Sequence, residues 1–171
     1  MHTDFHIQGI LRDCHALHRG GLFKLERDEY KRRVKEVIQQ DKNNETKMSI
    51  IIDGMDQSHS RIPYLGSQSS FGKKALTQHI TGVKAHGKGI YIYRTLESVP
   101  KGANQTIYCI LHQIEIWRDS HQGRYPEEIF IQVDGGGENA NQWVLGMLEL
   151  LATKRIVKTV SSSFFSLGFF R

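Results

Sequence analysis

The chain has 171 residues, 39% of them apolar, which supports one core and suits one domain with an extension. Its formal net charge is +5 and its pI is near 9.2, a balance that admits a polyanionic partner without establishing one. No apolar run approaches the ~20 residues of a membrane span, and the N-terminus lacks the basic-then-apolar pattern of a signal peptide. The two cysteines, Cys14 and Cys109, are far apart in sequence, which excludes a disulfide framework and fits a reducing compartment.

Met1 to Gly20 carries His2, His6, Cys14, His15 and His18, all metal-ligating types. One cysteine and loose spacing favour a solvated segment over a zinc site. From Leu22 to Gln40 the pattern is helical, with Tyr30, Val34, Val37 and Ile38 on a narrow apolar stripe. Arg27, Lys31, Arg32, Arg33 and Lys35 make the opposite face basic. That face reads either as a solvated surface balanced by Glu26, Asp28, Glu29 and Glu36 or as a helix lying along a phosphate backbone. Asp41 to Lys47 is a polar linker.

Met48 to Asp53 reads as a first strand, and Ser58 to Gly72 as a long loop. Lys74 to Ala85 alternates as a second strand. His86-Gly87-Lys88-Gly89 is a hairpin signal, and Ile90 to Leu96 is β-branched and aromatic throughout, a third strand. Asn104 to His121 repeats apolar residues at three and four, a helix. Ile129 to Asp134 is a fourth strand, followed by Gly135-Gly136-Gly137 and a helix running to about Thr153, with Trp143, Val144, Met147, Leu148 and Leu151 on one stripe. Arg155 to Val160 is expected to be a fifth strand. His79 and His86 read as polarity on exposed strands, Trp117 and Trp143 as core or rim of their helices, and Glu138, Asn139 and Asn141 as helix caps.

The chemistry concentrates at two strand ends. Asp53 closes the first strand and is followed by Gly54; Asp134 closes the fourth and is followed by the three glycines. The element order makes strands one to three antiparallel neighbours and returns strand four parallel to strand one. Adjacent strands lie ~5 Å apart, so Asp53 and Asp134 are expected as near neighbours. Two such carboxylates repel unless protonated or bridged by a cation. Mg2+ or Mn2+ is the expected cofactor, with Asp53, Asp134 and Glu138 as candidate metal ligands and phosphodiester chemistry as the reaction class.

An acid in strand one, a three-stranded antiparallel unit, a helix and a second acid after strand four resemble the ribonuclease H-like layout. Val133-Asp134-Gly135-Gly136-Gly137-Glu138-Asn139 is similar to the stretch around the second acid of DDE transposases and retroviral integrases, with Gly135 where asparagine is usual. The combination IIIDGMDQ, HITGVKAHGKGIYIY and IQVDGGGENAN resembles a transposase-derived domain of unknown function across about Arg12 to Val160. The resemblance implies Asp53 and Asp134 as the first and second catalytic acids. It also implies a Gly-His-Thr-His-Glu-Asp stretch after the fifth strand, where this chain reads SSSFFSLGFFR. On that departure the chain is expected to be a truncated or inactive copy.

The expected fold class is therefore α/β, a ribonuclease H-like mixed sheet with crossover helices and an N-terminal helix. Residues 1–47 form a helical extension, 48–160 an incomplete ribonuclease H-like domain and 161–171 an atypical tail. The expected function is transposase- or integrase-like processing of nucleic acid, DNA before RNA. Arg27, Lys31, Arg32, Lys35, Lys73, Lys74 and Lys88 are the candidate phosphate contacts. No membrane partner is expected, the oligomeric state is open, and the location is intracellular, the nucleus included. Two other readings stay open: a non-catalytic nucleic-acid-binding or protein-interaction module, and a phosphate-binding α/β domain using the helix after the glycine turn.

Overall fold

A computed structural model describes residues 19–42, 44–55, 76–96, 98–100, 102–134 and 141–165. In chain order these form α1 (Arg19–Ile38), β1 (Lys47–Gly54), β2 (Gln78–Ala85), β3 (Gly89–Leu96), α2 (Ala103–Ser120), β4 (Glu128–Asp134), α3 (Gln142–Thr153) and β5 (Thr159–Phe165). The strands make one sheet in the order β3-β2-β1-β4-β5. β1 to β3 pair antiparallel, and β1, β4 and β5 run parallel. This is the ribonuclease H-like mixed sheet that the element order implies.

Alternation along the strands sorts the sheet into two faces. Met48, Ile50 and Ile52 of β1, Val83 and Ala85 of β2, and Ile129, Ile131 and Val133 of β4 are buried on one face. They join Cys109, Ile110, Ile114 and Trp117 of α2 with Val144, Leu148 and Leu151 of α3 in the core. The α2 residues recur at spacings of three and four, so the helix buries one stripe. Ile50, Ile110 and Ile129 are fully buried, and truncating any of them to alanine costs about 2–5 kcal/mol.

The opposite face is partly covered by α1. Tyr30 Oη lies 2.9 Å from His86 Nε2, the Arg33 guanidinium sits 5.0 Å from the Phe130 ring centroid, and Val37 is buried. Gln40 secures the end of this helix. Its Nε2 donates to the carbonyls of Val37 at 3.1 Å and Lys47 at 2.7 Å. Its Oε1 accepts from the amides of Thr46 at 2.8 Å and Lys47 at 2.7 Å. Through these contacts the N-terminal helix packs against the sheet.

Several local expectations are corrected. Arg33 does not belong to the exposed basic face; it turns to Phe130 and donates to Glu29 at 2.7 Å. His79 and His86 are buried, not exposed strand polarity. The fifth strand is Thr159–Phe165, not Arg155 to Val160, and it carries Ser161 to Phe165 into the sheet beside β4. The chain from Lys154 to Val157 instead closes α3. The amides of Lys154, Ile156 and Val157 bond to the carbonyls of Leu150 or Leu151, and Arg155 takes a left-handed φ of 56°. The metal-ligating types of the first eighteen residues, with Cys14 among them, lie outside the described residues.

Candidate acid site at the strand ends

On the α1 side of the sheet, side chains fall into rungs set by the strand register. The first rung holds Ser49 of β1 and Phe130 of β4, opposite Ser161 of β5. It lies beneath α1. His86 closes it, with Nδ1 3.1 Å from Ser49 Oγ. The second rung runs Lys84, Ile51 and Gln132. The third holds Gly82 opposite Asp53. On the other side of β1, Ile52 is paired with Val133, so the next positions of the two parallel strands are Asp53 and Asp134. The two acids named from the sequence therefore occupy adjacent register positions at the carboxyl ends of neighbouring strands, where α/β sheets gather ligands.

Asp53 is exposed. Its antiparallel neighbour has no side chain: among the described residues, a Cβ built on Gly82 would meet only the Asp53 backbone oxygen, at 3.8 Å. The glycine keeps the sheet face beside the acid open. Lys84, one rung away and exposed, adds a cation to the same face. Gln132 sits in that rung on β4; it is 8% exposed, and its Oε1 has no hydrogen-bond partner among the described residues. Neither Lys84 nor Gln132 stands out in the sequence. The alternation of the two strands was the only available signal, and it becomes useful only once the register is known.

Because α3 follows β4 and leads into a parallel β5, its N-terminus returns to this same end of the sheet. Asn141 caps it, with the side-chain oxygen accepting from the amides of Trp143 at 3.0 Å and Val144 at 3.1 Å. The expected capping role of Asn141 is met. Trp143 is 69% exposed beside the cap, at the rim, whereas Trp117 is core. Glu149 is exposed on α3, eight residues past the cap and so ~12 Å along the axis from it. The described residues contain no cluster of three or more His, Cys, Asp or Glu side chains placed to hold a metal. Glu138, Lys73 and Lys74 lie outside the described residues.

The remaining basic candidates divide. Arg27, Lys31 and Lys35 are exposed and recur every four residues along one line of α1. Arg32 is engaged by its own helix: it donates to Glu29 at 2.7 and 2.8 Å and pairs with Glu36. That contact holds the Glu29 carboxyl down to about 2, with Arg33 adding to it. Lys88 lies at the β2–β3 turn, at the opposite end of the sheet from Asp53. It pairs with Glu45 and sits 5.3 Å from the Trp117 ring centroid. His121 completes that cluster, stacked on Trp117 with centroids 4.1 Å apart and 2.9 Å from Glu45 Oε2.

A family model described as a domain of unknown function, DUF7869, matches residues 68–169. The chain belongs to this family. The DUF7869 match includes β4 and Asp134, while β1 with Asp53 precedes it. No curated protein matches the chain. Among solved structures, this DUF7869 protein is similar to the Mos1 mariner paired end complex with Mn, at a TM-score of 0.43 and 12% identity over 78% of this chain and 39% of that one. It is also similar to the Mos1 transposase paired-end complex with left transposon end, at 0.41 and 10% over 90% and 46%. A third is the Mos1 Strand Transfer Complex, at 0.42 and 11% over 90% and 46%. The chain spans less than half the length of these proteins.

Proposed function

We propose that this chain is a nucleic-acid-processing domain of the transposase type, in which Asp53 and Asp134 share a divalent cation that engages a phosphodiester. The observation that supports this reading is the parallel register of β1 and β4, which brings the two strand-end acids to adjacent positions. The donor set fits Mg2+ or Mn2+. Carboxylate oxygens are hard ligands, Mg2+ commonly takes only one or two of them alongside waters and phosphate, and the orphaned amide oxygen of Gln132 lies on the same sheet face. When bound, such an ion activates a hydroxyl or water and stabilises the leaving oxygen. Gly82 leaves room for a backbone phosphate beside Asp53, and Lys84 offers it a cation. Arg27, Lys31 and Lys35 on α1 extend the electrostatic footprint; Glu138, Lys73 and Lys74 remain candidates from sequence. Two acids hold an ion weakly, so cation and nucleic-acid binding are expected to exceed turnover.

The phosphate-binding alternative draws less support. Asn141 already occupies two of the amides that a phosphate would use at the start of α3. The test uses labelled single- and double-stranded DNA with MgCl2, MnCl2 or a chelator, at two salt concentrations. Salt-sensitive binding is expected, because phosphate contacts release counterions. Binding that ignores salt, or that survives charge reversal of Arg27, Lys31 and Lys35 together with Lys84, overturns the interface. Metal-dependent cleavage lost in D53N and D134N would overturn the expectation of low turnover while upholding the acid pair.

A further inference from the structure

The face of β2 and β3 turned away from the core is open. Tyr91 and Tyr93 pack against the core cluster, so alternation turns Ile90, Ile92 and Arg94 to the opposite face. Val83 and Ala85 are core residues, which turns Gly82 and Lys84 the same way. The register sets Lys84 opposite Ile90, Gly82 opposite Ile92 and Ile80 opposite Arg94. Ile90 is 71% and Ile92 73% exposed, and both cations are exposed as well. Apolar side chains scattered singly over a surface need no explanation, but two adjoining isoleucines on one bare face mark an interaction site.

The helix α1 walls this face on one side. Arg33 reaches Phe130 on β4, and Tyr30 reaches His86, directly after β2. At ~100° per residue, Arg33 projects ~60° to one side of Tyr30, while Arg27, Lys31 and Lys35 project ~60°, ~100° and ~140° to the other. The Arg33 flank lies toward β4, so the cationic line lies toward β2 and β3. Among the described residues, Arg27, Lys31, Lys35, Lys84 and Arg94 have no carboxylate partner. Arg32, Arg33 and Lys88 do have one. The result is a trough with an apolar floor, cations on floor and wall, and Asp53 in the rung of Gly82.

We propose that this trough binds single-stranded nucleic acid, with bases laid on Ile90 and Ile92 and phosphates drawn to Lys84, Arg94 and the cationic line of α1. The proposal rests on the nucleic-acid reading above, but it requires no metal. The unpaired cations select a polyanion. The apolar floor selects an unpaired strand. In a duplex the base faces are stacked, and phosphates, sugars and groove edges are what a protein meets. An unpaired strand offers base faces to the floor while its phosphates track the cations. A second copy of this chain on the same face would bring like charges together, which costs affinity.

The test measures binding of the full chain to labelled oligo(dT) and to a duplex of equal length, with a chelator present and at several salt concentrations. The single strand is expected to bind about tenfold more tightly than the duplex. Ile90→Thr combined with Ile92→Thr keeps two β-branched residues on the strand. That variant is expected to lose the preference, with its salt dependence and melting temperature near wild type. Lys84→Gln and Arg94→Gln are each expected to reduce the salt slope for the single strand by about 0.7, the loss of one phosphate contact. Equal affinity for the two nucleic acids, or a preference kept in the threonine variant, overturns the trough and leaves the nucleic-acid reading standing. No binding to either at low salt overturns that reading itself. A dimer of the wild type that the threonine variant abolishes assigns the face to a second copy and also overturns the proposal. A further measurement needs no variant to fold. In wild-type protein the Ile90 and Ile92 methyl resonances are expected to move upfield under the ring currents of bound oligo(dT). Methyl resonances that stay in place at saturation refute the proposal.

Discussion

Tyr30 Oη and His86 Nε2 lie 2.9 Å apart and join the N-terminal helix to the sheet. The other imidazole nitrogen, Nδ1, is 3.2 Å from the Ser49 carbonyl. A neutral ring satisfies both contacts, with Nδ1–H donating to Ser49 and Nε2 accepting from Tyr30. Burial pushes the His86 pKa below 6.5, and the charge of Lys84 adds to the effect, against the hydrogen bond that the ring donates to the Ser49 carbonyl, which opposes it. The unfolded imidazole thus takes its proton at a higher pH than the folded one. The stability from this group is fully present above about 6.5 and is lost as pH falls below that value. Melting temperature is expected to decline between pH 7.5 and 5.5, and less so in His86→Gln. Tyr30→Phe is expected to cost about 1 kcal/mol by removing one hydrogen bond.

The adjacent strand-end acids give a second expectation. Asp53→Asn and Asp134→Asn should each abolish most manganese binding, a loss larger than the 10–100-fold typical of outer-shell partners. Titration calorimetry of the two variants reads it directly. Equal affinity in wild type and in either variant would show that the register pair holds no ion.

Gly82 supplies a third. Among the described residues, nothing but a backbone oxygen at ordinary contact distance meets a Cβ there, so Gly82→Ala should fold normally and gain up to about 0.5–1 kcal/mol from reduced freedom of the unfolded chain. Gly82→Leu keeps the strand but covers Asp53. It is expected to weaken both DNA and manganese binding while the melting temperature stays near wild type. Unimpaired binding in the leucine variant would place the ligand elsewhere.

Cys109 offers a probe of the core. It is fully buried on α2, and desolvation pushes its thiol up to about 11. In a Cys14→Ser background, an aromatic disulfide reagent at pH 8 should label no thiol in the folded protein and one after denaturation. The labelling rate without denaturant then reports the opening free energy of the core, because only an exposed thiolate reacts. Rapid labelling of the native chain would contradict the packing of α2.

The sheet and its two acids were legible because each rests on a local pattern. Ile50, Ile51 and Ile52 before Asp53, and Ile129 to Val133 before Asp134, announce strands that end in a charge. β5 was displaced because propensity competed with a helix end: Arg155-Ile156-Val157 looks like a strand, yet its amides serve the last carbonyls of α3. The real strand begins where Lys158 and Thr159 donate to Glu127, and its serines pair because β4 offers a partner. His86 and Gln132 were not legible for a different reason. His86 is covered by Tyr30 of α1, and the place of Gln132 on the sheet comes from the register; neither leaves a mark in neighbouring residues. Arg33 turned inward for the same cause: a ring on β4 was waiting for it.

The Gln40 carboxamide also ties two elements to one side chain. It bonds α1 and the start of β1 through four contacts with main-chain atoms, so that junction behaves as a fixed hinge rather than a tether. Toward the other end, Tyr30 and Arg33 hold the helix by single side chains. Any substitution of Gln40 therefore loosens two elements at once, the end of α1 and the start of β1, because one carboxamide serves main-chain groups of both.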